Sequence, residues 1–178
     1  MSNTETAQEY YEKLVSVNRV TKVVKGGRNF GFSVIIIAGD QKGMVGYGVG
    51  KAKDISEAKI KASKLAKKNM IRVPLKQNRT IHHDISTKFG AAKVILRTAP
   101  PGTGIIAGGA MRAVFESVGI HDIVAKSLTT SNPYNLVKAT LKALAQTYTP
   151  KKIADKRNRK VSDIVKNRNA VLNIENES

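Results

Sequence analysis

The chain has 178 residues, room for one ordinary domain or two small ones, and 41% of them are hydrophobic, enough to build a core. Lys and Arg number 31 against 13 Asp and Glu, a formal charge of +18, which points to a polyanionic partner, with nucleic acid ahead of membrane lipid. The lack of cysteine excludes disulfides, zinc knuckles and thiolate-held iron–sulfur clusters, and no apolar run approaches the roughly 18 residues of a spanning helix.

The charge is uneven along the chain. Residues 1–16 carry one basic and three acidic residues, 17–72 carry 13 and 3, 73–148 carry 9 and 3, and 149–178 carry 8 and 4. These shifts suggest an N-terminal arm over 1–16, a first domain over 17–73, a second over 74–148 and a basic tail over 149–178. The opening MSNTETAQEYYEKL has neither an apolar signal core nor the Arg-rich character of a transit peptide. A reducing cytoplasm is compatible with the lack of cysteine, and the protein is expected to stay where it is made.

From Val17 to Gly50, the runs VNRVTKVVK, NFGFSVIIIAG and GMVGYGVG are β-branched and aromatic, separated by Gly26-Gly27 and by a turn over residues 39–43. They read as a three-stranded antiparallel meander. The following KAKDISEAKIKASKLAKKNMIR reads as a helix, with Asp54 and Glu57 as a capping box. On its wheel Ile55, Ala58, Ala62, Leu65, Ala66 and Met70 share one side, and Lys53, Lys61, Lys64, Lys67 and Lys68 the other. Few acids compensate those lysines, which sets them apart from a mixed, merely solubilising face. A basic helix over a three-stranded sheet suits the phosphates of double-stranded RNA.

Between the first two strands, Lys22, Lys25 and Arg28 surround Gly26, Gly27 and Asn29, where exposed backbone N–H groups allow a phosphate to approach closely. Phe30 and Phe32 follow at strand spacing and are expected in the core. A connector over 73–78 contains Pro74. HHDISTKF and KVILRTAP then read as a hairpin around Gly90, Ala91 and Ala92. Next comes a helix with Ala107, Met111, Val114, Phe115 and Val118 on one face and Gly109, Arg112 and Glu116 on the other. A strand follows in IVAKSL, and Asn132-Pro133 is an N-cap with a first-turn proline for a last helix reaching about Tyr148. Its buried stripe would be Val137, Leu141, Leu144 and Tyr148. The class is α+β, the second half being a two-layer module.

PPGTGIIAGGAMR contains Gly102, Gly104 and Ala107 in the G-x-G-x-x-G/A pattern of a dinucleotide site, with Asp122 about 20 residues on. Pro100-Pro101 interrupts the strand entry that pattern needs, and too little chain remains for a wide parallel sheet. GYGVGK is one residue short of a P-loop, and Ala52 stands where the magnesium-binding hydroxyl would be. His82, His83 and His121 are the only histidines; neighbours on a strand point to opposite faces, so His82 and His83 are poorly placed to share a metal. Nothing marks a hydrolytic triad. No catalytic residue, metal or cofactor is expected.

VNRVTKVVKGGRNFGFSVIIIAGDQKGMVGYGVGKAKD and RTAPPGTGIIAGGAMRAVFESVGIHDIVAKSLTTSNPYNLVKATLKAL resemble the bacterial type of small-subunit ribosomal protein five, over roughly residues 14–144. The resemblance implies a double-stranded-RNA-binding-like β-β-β-α domain followed by a module with a left-handed β-α-β crossover. It implies a non-enzymatic constituent of the small ribosomal subunit that binds 16S rRNA at the head–body junction, stabilises head position and influences accuracy with ribosomal proteins four and twelve. Its implied partners are 16S rRNA, proteins four and eight, and messenger RNA at the entry side, where Arg19 and Arg28 match; the loop over 21–29 matches one near the spectinomycin site. RNA-binding positions are expected at Arg19, Lys22, Lys25, Gly26, Gly27, Arg28, Asn29, Lys51, Lys53, Lys61, Lys64, Lys67, Lys68, Arg72, Lys126 and Asn132. Gly102, Gly104, Gly108, Gly109 and Arg112 match the surface toward protein four. The arm over 1–13 receives no role, the basic cluster over 151–160 fits an RNA contact, the neighbourhood of protein eight or a disordered solubilising tail, and the last ten residues are expected to be mobile. A free double-stranded-RNA regulator and a nucleotide-using enzyme are the rival classes.

Overall fold

The computed structural model describes residues 10–165. The first part of the acidic arm and the final ten residues expected to be mobile lie outside that range.

The first sheet consists of β1 (Tyr11–Val24), β2 (Gly27–Gly39), β3 (Met44–Ala52) and β4 (Ile71–Arg72), in that order and antiparallel throughout. The meander is as expected, but β1 begins six residues before Val17. The helix α1 (Ile55–Lys68) stops short of Arg72, because Ile71 and Arg72 pair with Val45 and Met44. Two residues are too few to show a strand period, so β4 was hidden in the apparent helix.

Only Ala58, Ala62 and Ala66 of α1 are buried; Ile55 and Leu65, expected inward, are exposed. The reason lies on β3. A Cβ at Gly46, Gly48 or Gly50 would lie 2.1, 2.0 and 2.0 Å from the carbonyl oxygens of Ala66, Ala62 and Ala58. Glycine faces alanine along the whole seam, so the backbones approach closely and larger side chains are pushed to the flanks. Ala58 and Ala62 of that seam, with Val34 and Ile36, form one small core. The capping box does not form: Asp54 occupies the N-cap with extended backbone, but its side chain accepts no cap hydrogen bond.

The second sheet has the order β5-β6-β8-β7, from β5 (Ile85–Phe89), β6 (Ala92–Thr98), β7 (Ile105–Ile106) and β8 (Ile123–Ser127). β7 and β8 are parallel and joined through α2 (Gly109–Val118), which is the β-α-β unit; the other neighbours are antiparallel. The hairpin turn is Gly90-Ala91, with Ala92 already in β6. His82 and His83 precede β5 in a bend, so the opposite-faces argument does not apply to them. α3 (Pro133–Ala145) packs on β5 and β6. Asn132 caps it, Oδ1 accepting from Tyr134 N–H at 3.1 Å, and Leu136, Val137, Leu141 and Leu144 are buried; Tyr148 lies beyond its end.

α2 touches α3 and also β1, β2 and β3, so six of its ten residues are buried, among them Ser117 of its otherwise polar side. The β2–β3 turn satisfies its last carbonyls: Gln41 N–H donates to Ser117 O at 3.1 Å and Gly43 N–H to Val118 O at 2.9 Å. Ile37 and Val45 thereby join Phe115, Val118 and Leu144 in one main core. Each such fully buried side chain contributes about 1.5–3 kcal/mol. A salt bridge between Lys13 and Glu116 crosses the same junction, giving the end of the arm a structural part that the sequence did not suggest.

Candidate nucleic-acid interface

The ladder between β1 and β2 runs from Tyr11 opposite Gly39 to Val24 opposite Gly27, a ribbon on the order of 40 Å long at about 3.3 Å per residue. Only the root is covered. Residues 17–30 are exposed without a break. A bare two-stranded ribbon cannot form a core of its own.

Partners across a ladder share a face, so Arg19, Thr21, Val23, Arg28, Phe30 and Phe32 lie on one side of the ribbon, and Lys22 and Asn29 on the other. Lys25 and Gly26 make the tip, closed by Gly27 at φ +136. Phe30, expected in the core, is 50% exposed, and the Arg19 guanidinium lies 3.9 Å from its ring centroid. A flat cation on an open aromatic face is a surface on which a base or ribose can stack. No acid occurs between Lys13 and Gly39, and Arg19, Lys22, Lys25 and Arg28 make no ion pair among the described residues.

Lys51 sits opposite Ser33 at the ribbon's root, and Lys53 follows in the turn into α1. Lys61, Lys64, Lys67 and Lys68 are exposed on α1, together with Lys59, which wheel counting passed over. Two of these lysines are partly spent: Lys61 bonds Glu57 at 3.3 Å and Lys67 bonds Glu12 at 2.8 Å. Partial burial opposes ionisation of Glu12, but the hydrogen bonds from Lys67 and Ser63 outweigh it and hold the carboxyl below its usual range. The sequence showed only Asp54 and Glu57 near this face; Glu12 arrives from β1. Arg72 lies at the opposite end of β3 from Lys51.

Lys126 and Asn132 are elsewhere. Lys126, exposed on β8, lines an open groove of about 960 Å³ together with Ile106, Gly108, Gly109, Arg112 and Leu128. Asn132 is at the start of α3, beside Ser131 and Pro133 of the same groove. Arg112 is folded over β7, one of its guanidinium nitrogens donating to Ile105 O at 3.0 Å.

The nucleotide-like glycines have an internal anion. Gly102 and Gly104, at φ +94 and +75, aim their N–H groups at Asp122 Oδ1 at 2.9 and 3.0 Å, while Arg79 Nε donates to Oδ2 at 2.9 Å. The carboxylate occupies the concavity a phosphate would need. The Gly104 N–H, then Arg79 and the Gly102 N–H, hold its pKa below the usual Asp value against the effect of burial. The Asp about 20 residues on that completes the fingerprint on paper is what fills the site in space. Gly108 and Gly109 stay exposed, and a Cβ on Gly102, Gly104 or Gly109 would meet nothing within 4 Å. Among the described residues no group of three His, Asp or Glu could hold a metal ion, and no helix is long and apolar enough to cross a membrane.

The family model for Ribosomal protein S5, N-terminal domain, matches residues 10–74, and that for Ribosomal protein S5, C-terminal domain, residues 87–157. The chain is 57% identical over 171 residues to the small ribosomal subunit protein uS5 of Granulibacter bethesdensis, covering 96% of this chain and 90% of that one. It is 60% identical over 154 residues to that of Gluconacetobacter diazotrophicus (86% and 80%) and 55% identical over 166 residues to that of Ehrlichia canis (93% and 95%).

Proposed function

The chain belongs to the ribosomal protein S5 family, and from that premise we propose that it holds folded RNA of the small ribosomal subunit with the β1–β2 ribbon and α1 while its second unit docks on protein. It is a structural protein of the bacterial-type small subunit in the cytoplasm, in a family without catalysis. The RNA is 16S rRNA at the head–body junction, gripped by Arg19, Lys22, Lys25, Arg28 and Asn29 on the ribbon, Lys51 and Lys53 at its root, and Lys61, Lys64, Lys67, Lys68 and Arg72 behind. Gly26 and Gly27 let the backbone approach at the tip. Lys126 and Asn132 extend the RNA surface to the rim of the groove.

The observation that carries this reading is the ribbon, an exposed, acid-free projection with Arg19 stacked on Phe30. Its cations replace counterions along phosphates, and specificity comes from the shape and 2′-OH groups of the RNA rather than base edges. Arg19 and Arg28 also face messenger RNA at the entry side. Gly102, Gly104, Gly108, Gly109 and Arg112 face ribosomal protein four, and protein eight is a further neighbour. Contacts that differ in strength between subunit states would then affect accuracy, together with proteins four and twelve.

The test is the salt dependence of binding to purified small-subunit ribosomal RNA. Replacing Lys22, Lys25 and Arg28 together by Gln in the full chain removes up to three phosphate contacts, each contributing about 0.7 to 0.9 to the slope of log K against log salt. A slope shallower by roughly 2 is expected. An unchanged slope with unchanged affinity would overturn the assignment of the ribbon.

A further inference from the structure

A second cluster of cations is left unused by that surface. Lys151, Lys152, Lys156, Arg157, Arg159 and Lys160 are all exposed, with Asp155 the single acid among them, and none of the six makes an ion pair among the described residues. They are carried by a formed element, α4 (Pro150–Arg157). Thr149 caps it by accepting from Lys152 N–H at 3.3 Å, Pro150 opens the first turn, Ala154 is buried, and Asn158 closes it at φ 50. Its root is also tied: Tyr148 N–H donates to His83 Nε2 at 3.2 Å, which leaves Nδ1 to carry the proton and donate to Asp84 O at 3.0 Å.

The helix macrodipole accounts for Lys156 and Arg157, which lie in the last turn, where positive charge is favourable. It does not account for Lys151 and Lys152, which lie in the first turn, where positive charge works against the dipole. Lys152 and Lys156 stand at i, i+4 spacing on α4, and both ammonium groups lie over the ring of Tyr148, just before the N-cap, at 5.3 and 3.9 Å from its centroid. The one ring available as an anchor, Tyr148, is already covered by the two ammonium groups. Dense unpaired cations beside one aromatic ring match a nucleic-acid backbone better.

We propose that α4 is a second RNA-contacting element, which lays Lys151, Lys152 and Lys156 across backbone phosphates of an RNA segment other than the one held by the ribbon. The inference rests on the RNA-binding reading above and deepens it. The ribbon tip lies about 40 Å along its ladder from the rung where β1 and β2 meet α2, whereas α4 follows α3 on the second unit. One chain then ties two RNA segments together.

The experiment uses the full chain, purified small-subunit ribosomal RNA and three variants: Lys151→Gln/Lys152→Gln/Lys156→Gln, the ribbon triple described above, and their combination. Thermal midpoints equal to that of the unsubstituted chain show that folding is intact. The α4 triple is expected to lower the salt slope by about 2, three contacts at about 0.7 each, and the combination to lose the sum of the two. A ribbon triple that weakens binding beside an α4 triple with unchanged slope would overturn this inference and leave the first reading standing. Loss of small-subunit association by the α4 triple without any change in RNA slope would also overturn it, in favour of an acidic protein surface. An ineffective ribbon triple would contradict the first reading instead.

Discussion

Gly46-Tyr-Gly-Val-Gly50 and the stretch from Gly102 to Gly109 look alike on paper, each suggesting a phosphate loop, and their surroundings are opposite. In the first, each of the three glycines faces a carbonyl of α1 at a distance no Cβ can occupy. In the second, Gly102, Gly104 and Gly109 look into open space, and two of them spend their N–H groups on Asp122. The first set of glycines is explained from inside the chain. Gly109, in the first turn of α2, has no internal contact that requires it to be glycine.

The sharpest way to break this contrast is Gly48→Ala. The new methyl would meet Ala62 O at 2.0 Å and Ala66 N at 2.6 Å, both backbone atoms, so the sheet and helix must separate. A loss of about 3 kcal/mol or more is expected, seen as a lower urea midpoint. Next comes Asp122→Asn, which removes the charge that Gly104, Arg79 and Gly102 hold. Because the folded pKa of Asp122 is lowered, its stabilisation is present above the unfolded value of about 3.9 and is lost as pH falls through the folded value. The variant should melt lower at neutral pH and lose less on acidification below about pH 4; parallel acid profiles would contradict the anion-filled concavity.

Arg112→Ala should weaken docking to ribosomal protein four while leaving the free energies of binding isolated RNA and of unfolding within about 0.5 kcal/mol of the unsubstituted values. Equal loss of both affinities would refute the division between the two surfaces. The smallest change belongs to Gly109→Ala. It should raise stability by a few tenths of a kcal/mol, about half or less of the interior helix-propensity difference because Gly109 is the first residue of α2, while reducing incorporation into the small subunit, a separation a purely structural glycine would not show.

Much of this was legible in the residues. The β-β-β-α order, the hairpin of the second unit and the cap at Asn132 follow from turn residues and periods. What was missed had physical reasons. β4 and β7 are two residues each, shorter than any period. The wheel of α1 gave the right side but too wide a stripe, because the seam on β3 admits only alanine. Phe30 reads as core from its spacing, since nothing local says that the ribbon outruns the sheet beneath it. The fingerprint glycines and Asp122 were visible together, but not that one fills the site of the other. α4 was within reach: Thr149-Pro150 repeats the cap-and-proline signal of α3, but the dense charge after it leaves only Ala154 buried, so no apolar period marks the helix.

The central claim is that the ribbon anchors this chain in the small subunit, and sedimentation of small subunits carrying either the unsubstituted chain or the Lys22, Lys25 and Arg28 to Gln variant, in moderate and in high salt, tests it most directly. The unsubstituted chain should stay with the subunit in both, while the variant is released as salt rises. A variant that stays bound as firmly, or an unsubstituted chain found in the slow fractions at moderate salt, would contradict it.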